Sequence, residues 1–402
     1  MTPDTLPVLF LAPQMPYPPE QGAALRNYNI LAYLARRHRV TLATFGSTDA
    51  IPATLVEQCE QVVAVPLAPR PAAQRLATQF LPQPDLAVRL RSPAFGAAVA
   101  ALQRRRAFAI VQCEALELFR YTRAIPIPLI LDAHNAEWRL QQRAFQAALR
   151  NRRPVAATYS LLQWRKLVRY EASAVRRAAQ TMAVSATDRD DLRRIAPDAK
   201  ITVVPNGVDD QVYAPMPGVP EESDTILFAG KMDFRPNVEG AHWLARHVMP
   251  LVWSRRPAAR LTLFGRDPTP SIRRLVGDHR IIVTGHVPGT EAEKLALART
   301  AVVAVPLFSG GGTRLKVLTA LAMARPLVST ALGAAGYDLR SGQDLLLAEN
   351  AGHFAEALLW LLADRPLAAR LGSTGRQTIQ RRYTWERLLP VLDRVYEGAI
   401  GG

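Results

Sequence analysis

The stretch ILFAGKMDFRPNVEGAHWL, residues 226–244, joins a short apolar run to a helical pattern through a glycine. The run from Ile226 to Ala229 has the length and composition of a buried strand, and Gly230 ends it. From Val238 onward, apolar residues recur at helical spacing. A strand that leads through a glycine into a helix is the first half of a βαβ unit, so the stretch predicts a parallel sheet.

The same alternation of apolar runs and helical patterns extends along the whole chain. Further runs lie at 260–265, 281–285, 302–306 and 326–329, and, before residue 226, at 8–11, 40–45, 62–66, 109–112, 129–132 and 181–185. Each set predicts its own doubly wound, Rossmann-like parallel sheet, so the expected fold class is α/β with two such domains. Because open parallel sheets bind ligands at the carboxyl ends of their strands, we expect the site in a cleft between the domains.

The turn at Pro205-Asn206-Gly207 separates the two sets of strands. We therefore expect an N-terminal domain over residues 1–205 and a C-terminal domain over residues 206–383. The last segment, residues 384–402, has apolar residues at helical spacing and is expected to form a C-terminal helix.

Length and composition exclude several classes of protein. The 402 residues suit two or three domains, and no run approaches the roughly 18 uncharged apolar residues of a membrane span. The N-terminus lacks the basic region of a signal peptide, so we expect a cytoplasmic location. Cys59 and Cys113 have no metal-ligand spacing and form no disulfide framework, so both are expected to be buried.

The net charge of +16 is concentrated in one stretch of the chain. Residues 139–177 contain ten arginines and lysines, several aromatic residues and a single acid, Glu171. This composition suits a helical surface that lies on anionic lipid headgroups, at the inner face of the cytoplasmic membrane. The alternative is a solvated basic helix, and we expect no nucleic-acid partner because no recognised module accompanies the charge. Glu171 is expected to form a structural ion pair, and a functional role is the alternative.

A glycine triplet stands in PLFSGGGTRLKVLTALAMARPLVST, residues 306–330, between an apolar run and a helical pattern. Free backbone N–H groups and the helix dipole make such a place suited to an anion. Lysine is rare in this chain, with five examples, yet Lys316 follows the triplet and Lys231 follows the strand at 226–229. Because strand ends converge, Lys231, Arg314 and Lys316 are expected to flank one diphosphate. The alternative is that they cap helices or face solvent.

Polar side chains also follow a strand in the first half of the chain. His134 stands just beyond the run at 129–132, beside Asn135 and Glu137, where a cleft is expected. We regard His134 as a candidate site residue on this ground.

Several segments, by their order and spacing, resemble the retaining glycosyltransferases of family four, the glycosyl transferases group 1. They are PYPPEQGAALRNYNILAYLARRHRVTL, DAHNAEW, MAVSATDRDDL, VPNGVDDQVYAP, ILFAGKMDFRPNVEGAHWL, LTLFGRDP and the glycine segment. The resemblance implies the GT-B fold, in which two Rossmann-like domains face a cleft and the C-terminal helix crosses back to the first domain. It also implies that the second domain binds a nucleotide-sugar donor and the first a saccharide or lipid-linked acceptor.

The resemblance assigns expected roles to single residues. Gly22 matches a loop that approaches the donor phosphates and the acceptor, and His134 matches a histidine near the transferred sugar. Lys231, after Gly230, takes the place of a basic residue that holds the diphosphate. The phosphate and sugar side of the donor pocket is matched by Gly310, Gly311, Gly312, Thr313 and Arg314.

Thr319 stands where the family commonly has a glutamate that binds the ribose hydroxyls. A threonine offers a hydroxyl but no charged acceptor, and the loss of a charged hydrogen bond costs about 1.5–3 kcal/mol. We therefore expect Thr319 to weaken or alter donor binding.

The expected reaction moves a hexose from a nucleoside-diphosphate sugar to an acceptor hydroxyl with retention, in cell-surface polysaccharide or glycolipid synthesis. No Asp-x-Asp site stands out, so we expect no metal and no cofactor beyond the donor, with Lys231, Lys316 and the helix N-terminus supplying positive charge. His134 is expected to orient the sugar, and a general-base role is the alternative. Two other readings remain, a sugar-nucleotide epimerase and a non-catalytic nucleotide-sugar sensor or partner subunit with a degenerate donor site.

Overall fold

The computed structural model describes residues 5–19, 22–71, 78–286 and 289–401. The chain divides into two compact units, Met1–Val204 with Leu389–Gly402, and Pro205–Leu388. Each unit is a parallel sheet with helices on both faces and has its own hydrophobic core. The predicted fold class, two Rossmann-like parallel-sheet domains, is confirmed.

The first unit is built on seven parallel strands. They are β1 Pro7–Ala12, β2 Arg39–Phe45, β3 Gln61–Val65, β4 Ile110–Glu114, β5 Leu129–Ala133, β6 Gln180–Ala183 and β7 Ile201–Val203. Its helices are α1 Gly22–Ala35, α2 Ala53–Gln58, α3 Asp85–Arg89, α4 Pro93–Arg105, α5 Phe119–Thr122, α6 Glu137–Arg150, α7 Pro154–Arg177 and α8 Ala186–Ile195, with 3₁₀ turns at Thr78–Phe80 and Leu116–Leu118.

The second unit is built on six parallel strands. They are β8 Glu222–Ala229, β9 Arg260–Phe264, β10 Ile281–Val283, β11 Thr300–Val305, β12 Leu327–Ser329 and β13 Leu346–Leu347. Its helices are α9 Arg235–Trp243, α10 Met249–Arg255, α11 Pro270–Arg273, α12 Thr290–Arg299, α13 Leu315–Ala322, α14 Ala351–Ala363, α15 Arg365–Arg382 and α16 Trp385–Leu388, with a π-helical turn at Leu244–Val248 and a 3₁₀ turn at Arg274–Gly277.

The strand order places one topological switch point in each sheet. The first sheet runs β3-β2-β1-β4-β5-β6-β7 and the second runs β10-β9-β8-β11-β12-β13. The order reverses between β1 and β4 in the first unit and between β8 and β11 in the second. Ligands of open α/β sheets bind beyond the carboxyl ends of the strands at such a point, so each unit has one preferred place for a site.

The C-terminal segment differs from the single helix expected over residues 384–402. Thr384 forms a bridge with Val208 in the second unit, and α16 ends at Leu388. A second helix, α17 Val391–Ile400, packs on β5 and β6 of the first unit. Pro390 explains the break, because proline has no N–H to donate to the preceding turn of a helix.

The basic stretch folds into two antiparallel helices, α6 and α7, that pack on each other. The expected ion pair of Glu171 is not what the structure has. Glu171 is buried, and its two carboxylate oxygens accept the backbone N–H groups of Glu137 at 3.0 Å and Trp138 at 2.8 Å. The carboxyl group therefore accepts hydrogen bonds from the N-terminus of α6. Burial, and then the charge of Glu137, nevertheless raise the pKa of Glu171 well above its usual range.

The cysteines and the helices can be compared with what the composition predicts. Both Cys59 and Cys113 are buried, as expected. No helix in the described part of the chain combines the length and the apolar character that crossing a membrane requires.

Candidate active site

The candidate site of the second unit begins where β8 ends. Gly230 has φ +156°, and a Cβ atom there would lie 2.7 Å from both the Lys316 Nζ and the Asn237 Nδ2. A side chain at this position would displace the Lys316 amine and the Asn237 amide. The glycine is therefore needed because the Lys316 amine packs directly against the end of β8.

Asn237, in the first turns of α9, connects the two lysines. Its Nδ2 donates to the backbone carbonyl of Lys231 at 2.8 Å, and its Oδ1 accepts from the Lys316 Nζ at 2.8 Å. The same amine lies 4.5 Å from the centre of the Phe228 ring. The structure thus brings Lys231 and Lys316, which are far apart in sequence, to the switch point of the second sheet.

The environment of Lys316 disfavours its charge. Burial, together with the nearby Arg314, lowers the pKa of Lys316 to about 7, and the opposing attraction of Glu293 is smaller. A bound anion would favour the charged amine. A buried, poorly solvated lysine whose charge is disfavoured is therefore suited to bind a group such as a diphosphate.

Lys231 is more exposed than Lys316, with 45% of its side chain accessible. Its Nζ lies 3.1 Å from the Asp233 Oδ2 and 3.8 Å from the Asp267 Oδ2. Exposed pairs of this kind contribute little to stability. The amine can therefore exchange these carboxylates for a more highly charged ligand.

The glycine loop lies between β11 and α13. Gly310 has φ +101°, in the region that favours glycine, and packs against Pro236. Arg314 turns back on the loop, where its Nη1 donates to the carbonyls of Gly311 and Gly312. The Asn206 Nδ2 donates to the Thr313 Oγ1 at 2.6 Å, which fixes the residue before Arg314.

Among the hydrogen bonds of the described residues, neither Thr319 nor Gly22 accepts from the amines of the two lysines. Thr319 is 6% exposed, and its Oγ1 lies 3.3 Å from the Lys316 carbonyl on the same helix. Its hydroxyl therefore donates to a backbone carbonyl in the preceding turn of the same helix, as mid-helix threonines commonly do. Gly22 is the exposed first residue of α1 in the first unit.

In the first unit, His134 lies beside two buried carboxylates. Its Nε2 is 3.5 Å from the Asp132 Oδ2 and 3.6 Å from the Glu114 Oε2. Asp132 is also bound by Arg26, with contacts of 2.6 Å from Nε and 2.8 Å from Nη2. Glu114 is bound by Gln112, whose Nε2 donates to Oε1 at 2.7 Å.

These contacts shift the pKa values of all three groups. Burial alone would lower the pKa of His134, but its hydrogen bonds to Asp132 and Glu114 raise it to about 9. Burial, and then the charge of Asp132, raise the pKa of Glu114 to about 7. Although burial opposes it, Arg26 holds the pKa of Asp132 well below its usual range. These contacts therefore favour the imidazolium form of His134 at neutral pH.

The ligand atoms of Glu114, Asp132 and His134 lie within 4.8 Å of one another, which is close enough for a metal ion. However, the guanidinium of Arg26 already binds both oxygens of Asp132. A cation added beside Arg26 would meet its charge and compete for the same carboxylate. We therefore interpret the group as a hydrogen-bonded network that orients His134.

Two of these residues were not identified from the sequence. Glu114 ends β4 and Asn237 lies in α9, and neither forms a motif with the residue that it contacts. The sequence signal was only general: Glu114 is the last residue of one strand beside a switch point, and Asn237 follows another. Without the strand order, that signal does not separate them from the other polar residues near strand ends.

Residues 21–212 match the family model described as Glycosyltransferase Family 4, and residues 223–364 match Glycosyl transferases group 1. A curated relative, the "Uncharacterized 44.6 kDa protein in cps region" of Klebsiella pneumoniae, is 25% identical over 139 residues, or 33% of this chain. The matched part spans 36% of the length of that relative.

Solved structures resemble the chain over nearly its whole length. Sucrose-phosphate synthase of Thermosynechococcus elongatus has a TM-score of 0.77 at 18% identity, with 98% of this chain and 99% of that one covered. Anabaena HepE in complex with UDP and glucose scores 0.66 at 15% identity, with the same coverage. A TarM mutant of S. aureus, in complex with Fondaparinux, alpha-GlcNAc-glycerol and UDP, scores 0.67 at 11% identity, covering 98% and 100%.

At such low identity the structural likenesses show the fold, and the two family models, which together match most of the chain, show the family. The chain therefore belongs to the GT-B glycosyltransferases, with a family-four domain followed by a glycosyl transferases group 1 domain.

Proposed function

We propose that the protein transfers a hexose from a nucleoside-diphosphate sugar to an acceptor hydroxyl with retention of the anomeric configuration. The observation that carries the proposal is the placement of Lys231 and Lys316 together at the switch point of the second sheet. A departing diphosphate develops negative charge, and the two lysine side chains, with the N-terminus of α13 that carries Lys316, are suited to stabilise it. We propose that these groups supply that charge without a metal ion.

The proposed reaction breaks the bond between C1 of the hexose and the diphosphate oxygen. The acceptor oxygen forms its bond to C1 on the same face, and its proton passes to the departing diphosphate. His134, as an imidazolium, orients the sugar by donating a hydrogen bond. UDP is the first nucleotide to test, because solved relatives such as HepE contain UDP.

Slow hydrolysis of the donor tests this proposal without knowledge of the acceptor. The protein is incubated with UDP-, GDP- and ADP-hexoses, and the released sugar is followed by proton NMR. We expect one donor to be hydrolysed with the anomeric configuration of the donor in the first-formed sugar. Release of the opposite anomer would contradict retention, and binding without hydrolysis, with or without acceptors, would favour the nucleotide-sugar sensor.

Lysine variants test the stabilising charge. In Lys231→Ala and Lys316→Ala we expect turnover to fall by about 10²–10³, as for the removal of a group that stabilises a developing anion. Lys294→Ala is the matched control, because Lys294 pairs with Glu291 on α12. Near-normal turnover in both site variants would overturn the proposed role of the lysines.

We also propose that the hairpin tip, residues 149–155 between α6 and α7, docks on an anionic membrane surface. Leu149 and Val155 are 55% and 84% exposed, and between them stand three exposed arginines, Arg150, Arg152 and Arg153. Apolar side chains surrounded by arginines fit the boundary between headgroups and acyl chains. This surface would bring a lipid-linked acceptor to the protein, in polysaccharide or glycolipid synthesis on the inner leaflet.

Vesicle binding tests the hairpin tip. We expect the protein to cosediment with phosphatidylcholine vesicles that contain phosphatidylglycerol, and to be released by added salt. Val155→Asp should weaken binding about tenfold, because a valine side chain no longer leaves water. Val276→Asp, which changes a half-exposed valine of the second unit, is the control. Equal binding by wild type and Val155→Asp, or none to anionic vesicles, would contradict this docking surface.

A further inference from the structure

A cavity of about 520 Å³ lies within the first unit, at the carboxyl ends of four of its strands. Its walls include Gln14 after β1, Phe45 at the end of β2, Leu116 after β4, and His134 with Asn135 after β5. This volume is within the range of about 300–1,000 Å³ typical of small-molecule sites. The position includes the β1/β4 switch point, where a ligand is expected.

The charge of this cavity differs from that of the chain. The protein carries +16 overall, yet Arg89 is the one arginine or lysine in the described lining. Arg89 is paired with the carboxylate of Glu117, and Glu137 adds a second carboxylate. The other cation, His134, is held by Asp132 and Glu114. The cavity therefore has no surplus of positive charge for an anionic ligand.

Each carboxylate keeps one oxygen available for a ligand. The Glu137 Oε1 accepts from the Asn135 Nδ2 at 3.0 Å, and the Glu117 Oε1 pairs with Arg89. Among the contacts of the described residues, neither Oε2 has a hydrogen-bond partner. Burial raises the pKa of Glu137, which indicates a poorly hydrated group that gains from a donor. Hydroxyl groups are such donors, and carboxylates accept them strongly.

Besides its polar and charged groups, the cavity has apolar walls formed by Phe45, Leu67, Leu90 and Leu116. An aromatic and aliphatic wall opposite a few polar groups suits a ligand with one apolar face and several hydroxyls. A sugar ring has this character, whereas an acyl chain would leave the two carboxylates without donors.

We infer that this cavity binds an uncharged sugar residue of the acceptor, with Glu117 and Glu137 as acceptors for its hydroxyls, and that the two carboxylates exclude uronic acids and phosphorylated sugars. The inference rests on the proposed function, because it assigns the acceptor side of that reaction. Any phosphate of a lipid-linked acceptor then lies outside the cavity.

Binding of simple glycosides to the full-length protein tests this inference. The probes are the methyl glycosides of glucose, galactose, mannose and N-acetylglucosamine, together with methyl glucuronide and methyl galacturonide, followed by saturation-transfer NMR. We expect at least one neutral glycoside to bind about tenfold or more tightly than its matched uronide, since the uronide loses a hydrogen bond to a charged group. Equal or tighter binding of the uronide, or binding of no neutral glycoside, would overturn the inference.

Isosteric variants locate the selectivity. Glu137→Gln should weaken binding of the neutral glycoside. Glu117→Gln should strengthen binding of the uronide, because Arg89 loses its carboxylate partner. Glu60→Gln is the matched control, since Glu60 forms an ion pair with Arg106 elsewhere in the first unit. If both site variants leave the ratio of neutral to uronide affinity as in wild type, the two carboxylates do not select the acceptor. The wild-type comparison stands even if a variant fails to fold.

Donor binding is scored separately by titrating UDP, GDP and ADP. A protein that binds and hydrolyses a donor but prefers uronides refutes the acceptor inference and leaves the proposed function standing. A protein that binds no nucleotide refutes the proposed function, whatever the glycosides do.

Discussion

Asn237 forms hydrogen bonds to both lysines of the candidate donor site. It accepts from the Lys316 amine and donates to the carbonyl of Lys231. A leucine at this position has nearly the same volume but neither polar group. Lys316 would then be buried without this acceptor, so the charged form of its amine would be less favourable. Binding of a diphosphate would have to supply the free energy that charging the amine costs.

We expect Asn237→Leu to weaken binding of the nucleoside diphosphate by about tenfold or more, as for the loss of a hydrogen bond to a charged group. Titration calorimetry measures the affinity. Asn29→Leu serves as the control, because Asn29 bonds only to the Leu25 carbonyl in α1 among the contacts of the described residues. Unchanged affinity in Asn237→Leu would show that Lys316 needs no positioning.

The pH dependence of the rate tests whether protonated His134 donates a hydrogen bond to the sugar. Its pKa is raised to about 9, so the imidazolium predominates below that pH and is lost above it. If His134 donates a hydrogen bond to the sugar, kcat/KM falls as pH rises through about 9, and His134→Gln lacks that fall. A rate that instead rises with pH as the histidine loses its proton would indicate a general base.

Some of the site residues could be predicted from the sequence, and others could not. Lys231 and Lys316 were found because lysine is rare in this chain and because each stands near a strand end. Glu114 and Asn237 were not found, because their contacts depend on which strands are neighbours, which local patterns do not specify. The hydroxyl of Thr319 was expected to face a ligand, whereas helix geometry turns it to the Lys316 carbonyl.

At the scale of elements, Glu171 connects two helices of the first unit. From the middle of α7 its carboxylate binds two backbone N–H groups at the start of α6. The sequence showed an isolated acid among arginines and suggested an ion pair. The actual contact required the packing of α6 on α7, which the sequence pattern does not encode locally.

We expect Glu171→Ala to lower the free energy of unfolding by about 1–3 kcal/mol, because two buried N–H groups lose their acceptor. Urea denaturation measures the change. Glu57→Ala, in which an exposed residue of α2 is replaced, should leave stability within about 0.5 kcal/mol of wild type. Equal stability of the two variants would show that the N-terminus of α6 needs no carboxylate.

The elements themselves were largely predictable. The apolar runs marked eleven of the strands, because buried parallel strands are continuously apolar. The two that were missed, β7 and β13, have only three and two residues. Such short strands owe their state to pairing with a neighbour, so the local sequence carries little information about them.

In the whole molecule, both units have the same arrangement of strands but differ in the charge of their candidate sites. Each sheet reverses its strand order once, and each candidate site lies at that reversal. In the second unit two lysines stand there, whereas in the first unit two carboxylates and a histidine line a cavity. We expect the cationic site to take the diphosphate donor and the acid-lined site to take the neutral acceptor.

In the proposed reaction, Lys231 and Lys316 bind the diphosphate of a nucleotide sugar. Titration calorimetry of the wild type and of the double variant Lys231→Ala/Lys316→Ala, with UDP, GDP and ADP and with the matching nucleosides, tests it most directly. For one of the bases, the wild type should bind the diphosphate at least about tenfold more tightly than the nucleoside, and the double variant should bind both alike. Equal affinity of the wild type for diphosphate and nucleoside, or an unchanged preference in the double variant, would contradict the claim.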